Sequence, residues 1–84
     1  MADALYEQVR QIAADIFGLY PEDITPGASP DTIHTWDSVK HLNVVLAIEQ
    51  ALGTRFAPEE IEQIKDFGSL VELARKKRAS SGGP

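Results

Sequence analysis

The residues whose types and spacing bear on chemistry converge on Asp37-Ser38 and the helix that opens there. A stretch punctuated by Pro21, Pro26 and Pro30 stops at Thr35-Trp36, and an apolar-patterned run starts at Ser38. Asp37 fits the N-cap, where its carboxylate accepts hydrogen bonds from N–H groups of the first turn. Ser38 is then the first helical residue, with its hydroxyl at the positive end of the helix dipole. An exposed anion attached there gains roughly 0.3–1 kcal/mol. Ser38 and His41 stand at i and i+3 on one helix face, the spacing of a nucleophile and its base. Nothing in so short a chain supplies a group to orient the imidazole or an oxyanion hole, so the pair reads as non-catalytic and His41 as an ordinary surface or partner-facing residue. The sequence has no Gly-rich phosphate loop, His-Glu-x-x-His pair or nucleophile elbow. No set of acids and histidines has metal-ligand spacing. The expectation is a protein that is not an enzyme and holds no metal.

The elements around Ser38 are legible as helices. Leu5, Val9, Ile12, Ala13, Ile16 and Phe17 lie on one face of a first helix over residues 4–17, which Asp3 can cap and Gly18 can end. Residues 19–37 form a long loop that the three prolines keep from being one helix. Leu19, Ile24, Ile33 and Trp36 are expected to pin this loop to the core, with one short helical turn at Asp23-Ile24-Thr25. A second helix is expected over residues 38–52, its apolar arc formed by Val39, Leu42, Val45, Leu46, Ile48 and Leu52 and its end set by Gly53. Phe56 is expected to insert into the core from an extended loop. Pro58 at a first helical position, followed by Glu59 and Glu60, starts a short third helix with Ile61 and Ile64 inward. Asp66 can cap a fourth helix over 67–78, with Phe67, Leu70, Val71 and Ala74 on its inner face.

Eighty-four residues make one domain, placed at 3–78, with 79–84 as a flexible tail or the stub of a linker. A chain this short buries only about 60–65% of its unfolded surface, so its core is thin. It contains no cysteine, so there is no disulfide, and any thioester chemistry needs a thiol from a cofactor. The net charge is −5, but Arg75, Lys76, Lys77 and Arg78 hold four of the eight positive charges. Residues 1–74 therefore carry 13 acids against four bases, a net of −9. Such a body repels nucleic acid and favours basic partner surfaces. The basic run reads as the C-terminal end of the fourth helix, where cations complement the dipole. No apolar run reaches the roughly 18 residues of a membrane span, and a cytoplasmic protein is expected.

From Asp37 the chain reads Asp-Ser-Val-Lys-His-Leu-Asn-Val-Val-Leu-Ala-Ile-Glu-Gln-Ala-Leu-Gly. This resembles the modification segment of acyl carrier proteins, whose common form is Asp-Ser-Leu followed by a helix ending in a short acidic and apolar run. The resemblance continues ungapped through Phe56, Pro58-Glu59-Glu60, Ile61, Ile64 and Leu70-Val71, and reaches back to Pro21-Glu22-Asp23-Ile24. It implies an all-α, four-helix bundle with a long loop between helices one and two and a short helix three. It also implies that Ser38 carries 4′-phosphopantetheine, transferred from coenzyme A, with Asp37 beside it for recognition by the phosphopantetheinyl transferase. Acyl groups would ride on the thiol as thioesters for acyl-loading, condensing or acyl-transfer enzymes, on a monomeric shuttle. In the family the acyl group can fold back among the helices, and Leu42, Val45, Leu46, Ile64 and Leu70 are the candidates to line that space.

Three features depart from the pattern. Position 40 is lysine where fatty-acid carriers have an acid, helix two holds a single acid (Glu49), and Trp36 stands where many relatives have a small or aliphatic residue. More of the charge lies on helix three, at Glu59, Glu60 and Glu62. The expected partner-facing set is therefore Trp36, Val39, Lys40, Glu49, Glu59, Glu60 and Glu62. The departures favour a dedicated lipid-modifying or polyketide-like pathway over housekeeping fatty-acid synthesis. An amino-acyl or peptidyl carrier is the alternative, although the Gly-Gly pair usual in peptidyl carriers is missing. A rival from another class is a helical interaction domain that is never modified.

Overall fold

The computed structural model describes residues 4–81, with side chains through Arg78. Its regular elements are α1 (Ala4–Phe17), a single 3₁₀ turn (Pro21–Asp23), α2 (Ser38–Leu52), α3 (Pro58–Glu62) and α4 (Phe67–Ser81), with no strand among the described residues. The all-α bundle with a long first loop and a short α3 is thus the observed architecture. The cap expected from Asp3 lies outside the described residues, as do tail positions 82–84.

The α1 stripe forms because Leu5, Val9, Ala13 and Phe17 recur every four residues and are buried together with Ala14, while Ile12 and Ile16 flank the core. This face packs on α2 and α4. Gly18 ends the helix at φ 73°, a left-handed conformation that only glycine adopts cheaply, and the Leu19 N–H closes the end on the Ala14 carbonyl at 2.9 Å.

α2 buries Val44, Val45 and Ile48. The expected arc was too wide: Val39 is 66% exposed, Leu42 52% and Leu46 53%. At about 100° per residue these three fall on the side of the helix away from the inner stripe. Leu42 and Leu46 therefore do not line the interior, whereas Val45, Ile64 and Leu70 do belong to the core.

The loop between α1 and α2 is fastened at its middle and at its C-terminal end. Ile24, Ala28, Ile33 and Trp36 are buried, and the Thr35 hydroxyl donates to the Phe17 carbonyl at 2.8 Å. At the other side of the bundle, the Phe67 and Gly68 N–H groups that open α4 donate to the Ala28 and Pro26 carbonyls at 2.7 and 2.8 Å. Asp66 and Ser69 complete that helix start by capping each other's backbone. The loop's helical turn falls at Pro21–Asp23, earlier than expected, because Pro21 sets φ for the first position and the Asp23 carboxylate accepts from the Tyr20 N–H at 3.2 Å.

Phe56 enters the core as expected, and Gly53 ends α2 at φ 65°. α4 buries Phe67, Leu70, Val71, Leu73 and Ala74 and runs to Ser81, one turn beyond the expected end. Ala79 is a strong helix former, and the first breaker is Gly82. The basic run is therefore not simply a last-turn complement to the dipole. Lys77 reaches across to Glu60 of α3 at 2.8 Å, and Arg75 pairs with Glu72 at 3.6 Å.

Candidate functional site

Asp37 takes an extended conformation (φ −102°, ψ −175°) and its carboxylate accepts the Lys40 N–H at 2.9 Å, the N-cap geometry its position implies. Its carbonyl accepts the His41 N–H at 2.8 Å. The N–H groups of Ser38 and Val39, the first two of the helix, are left directed out of its end, where the dipole favours an anion. Ser38 is exposed at this end.

Ser38 also lines an open groove of about 460 Å³, together with Trp36, Asp37, His41, Ile61 and Ile64 among others. Pro30, Trp36, Ile61 and Ile64 supply its apolar lining, and α3 contributes Ile61 and Glu62. A separate hollow of about 400 Å³ near Leu46, Gly53 and Arg55 sits at the opposite end of α2, roughly 20 Å along the helix axis. Only the first adjoins the serine.

Trp36 and His41 differ from the sequence reading. Trp36 is 3% exposed, so it offers partners almost no surface; its ring packs on Phe17 at 4.9 Å and on His41 at 6.0 Å. His41 is not an ordinary surface residue. It is half-buried, accepts the Trp36 indole N–H at Nδ1 (3.0 Å), and its Nε2 faces the Ile61 carbonyl at 3.4 Å. Residues 36 and 41 are the positions before and four after the N-cap, which commonly pack against each other. That spacing was the available signal for this pair.

The acids expected to face partners divide into two groups. The Glu49 carboxylate accepts the Phe56 N–H at 2.7 Å and that of Glu60 accepts the Ala57 N–H at 2.7 Å, so both are engaged within the chain. The Lys77 ammonium and the Ala57 N–H hold the Glu60 carboxyl below the ordinary glutamate value. Glu59 and Glu62 remain exposed, as does Val39, while Lys40 is half-buried.

The chain is similar to the acyl carrier protein of Thermosynechococcus vestitus, with 28% identity over 76 residues that span 90% of this chain and 94% of that protein. It is similar to the acyl carrier protein of Petrotoga mobilis at 29% identity, over 89% of this chain and 88% of that one. The fold matches the solution structure of the holo acyl carrier protein of Geobacter metallireducens with a TM-score of 0.83 and 26% identity, covering 94% of this chain and 91% of the other. In sequence and in fold the chain is thus similar to acyl carrier proteins over nearly its whole length. No family model matches it. The alignments cover the full bundle, so the relation extends beyond the Asp-Ser pair. Among the described residues, no helix is long and apolar enough to cross a membrane.

Proposed function

We propose that Ser38 is the attachment site of 4′-phosphopantetheine and that the chain shuttles acyl groups between enzymes of a specialised lipid or polyketide-like pathway in the cytoplasm. The observation that carries this reading is the placement of Ser38: an exposed hydroxyl at the first position of a capped, 15-residue helix, opening onto a groove. These residues fit the group. The outward N–H groups of Ser38 and Val39 suit a phosphodiester. The groove, apolar at Ile61 and Ile64 with polar atoms at Asp37 and His41, suits a chain that alternates methylenes with amides. When bound, the group supplies the thiol that this cysteine-free chain lacks, and so a thioester carrier.

The chain's own residues do the rest. Asp37 holds the helix start open and sets a carboxylate beside the hydroxyl for the phosphopantetheinyl transferase. Val39, Leu42 and Leu46 give α2 an exposed apolar face beginning at the serine, on which acyl-loading, condensing or acyl-transfer enzymes dock. Lys40 on α2 and Glu59 and Glu62 on α3 set the charge around that face. Because Glu49 is engaged with Phe56, α2 presents partners with little negative charge, which supports a pathway distinct from housekeeping fatty-acid synthesis. Incubation with a transferase and coenzyme A, followed by peptide mapping, tests the reading. The added mass should fall on the peptide containing Ser38, and a mass on another serine, or none with several transferases, would overturn it.

A further inference from the structure

The Trp36–His41 pair has a chemical consequence that packing alone does not. An indole N–H is only a donor, so His41 Nδ1, 3.0 Å from it, must be the unprotonated acceptor. The neutral imidazole then carries its proton on Nε2, which points at the Ile61 carbonyl. One ring thus joins the end of the loop, through buried Trp36, to the first turn of α2 and to α3. These are three of the elements that form the groove beside Ser38. Protonating Nδ1 places one N–H against another and breaks the bond to Trp36.

We infer that neutral His41 is a positioning residue that locks the groove beside Ser38, and that protonating it unlocks the groove and slows modification of that serine. The second half rests on the carrier reading of Ser38; the first does not. The charged groups that share the groove with the ring are Asp37 at the start of α2 and Glu62 from α3, while α1 contributes the uncharged Phe17 behind Trp36. Trp36 is the chain's single tryptophan and His34 its one other histidine, so the signals are assignable.

The test begins with nitrogen-15 spectra of the unmodified protein from about pH 8 to about pH 5. The expected result is the Nε2–H tautomer of His41 at the alkaline end. As His41 titrates, the indole N–H signal should shift and its solvent exchange should quicken about tenfold, together with changes at the Ile61 and Glu62 amides. His41→Asn, whose side-chain oxygen takes the place of Nδ1, should keep the indole proton protected at every pH. His41→Phe, which keeps the ring but not the acceptor, should leave it unprotected throughout. An Nδ1–H tautomer, or an indole signal indifferent to His41 titration, would overturn the lock.

Labelling of Ser38 by a coenzyme A analogue is then compared for wild type and His41→Asn at about pH 7.5 and about pH 6. The wild type should slow in acid more than the variant does, and equal slowing would overturn the link to modification. Failure of both proteins to label would overturn the carrier reading instead, with the spectra still deciding the lock.

Discussion

Asp37 has two separable duties, and two substitutions divide them. Its carboxylate accepts the Lys40 N–H at 2.9 Å, a bond that asparagine can also make and alanine cannot. Asp37→Ala should therefore cost about 1 kcal/mol, a fall of about 4–8 °C in Tm for a domain this size. Asp37→Asn keeps the cap but loses the negative charge at the helix start, which costs about 0.3–1 kcal/mol at most. Stability, read by circular dichroism melting, should thus rank wild type, Asn, Ala. Modification should rank differently. The carboxylate beside the Ser38 hydroxyl is absent from both variants, and losing a charge-assisted contact worth about 1.5–3 kcal/mol slows labelling more than about tenfold in each. The assay is the initial rate of coenzyme A analogue labelling, at a temperature where all three proteins are folded. An Asp37→Asn protein that labels at the wild-type rate would show that Asp37 is a cap and nothing more.

Lys40 is a cation at the third position of α2, where the dipole opposes it. Lys40→Glu should raise stability by about 0.3–1 kcal/mol. It should also improve use by fatty-acid-synthesis enzymes at the expense of the chain's own partners, more so at low salt. Equal turnover of matched acyl forms would refute the charge argument. Gly68→Ala tests the loop's hold on α4. A Cβ there meets the Pro26 carbonyl at 3.1 Å, in a backbone fixed by the Gly68 N–H itself. The usual helical gain of about 1 kcal/mol over glycine should be outweighed by overpacking, so denaturant melts should show a less stable protein, and a more stable one would mean the loop yields. Glu60→Gln should destabilise the fold at neutral pH. The native carboxyl titrates below its unfolded value, so the stabilisation is whole above the unfolded value and is lost as pH falls through the native one. Melts of the two proteins should converge in strong acid, and a constant gap would refute the assignment.

The bundle was legible because its helix ends are chemically marked: glycine at 18 and 53, proline at 58, and acid caps at 37 and 66. The α1 stripe was equally clear, since polar residues separate its faces. α2 was not. Its apolar residues surround the axis, and Lys40 and Glu49 are too few to mark the outer side, so Leu42 and Leu46 read as core when they are surface. The Asp37 cap and the helix start at Ser38 were legible from residue type and position. The contact of Trp36 with His41 was signalled only by their spacing about the N-cap, and the ring-to-ring bond between them is not marked by residue type. Likewise, pairing of Glu49 with Phe56 and of Glu60 with Lys77 depends on how loops turn back on helices, a matter of three-dimensional closure rather than local pattern.

The central claim is that one serine, at the head of α2, makes this chain a carrier. Its most direct test is the intact mass of the wild type and of Ser38→Ala after exposure to a phosphopantetheinyl transferase and coenzyme A. The wild type should gain the mass of a single phosphopantetheine while the variant, equally helical by circular dichroism, gains nothing. An adduct on Ser38→Ala, or an unmodified wild type under conditions in which a known carrier is fully converted, would contradict it.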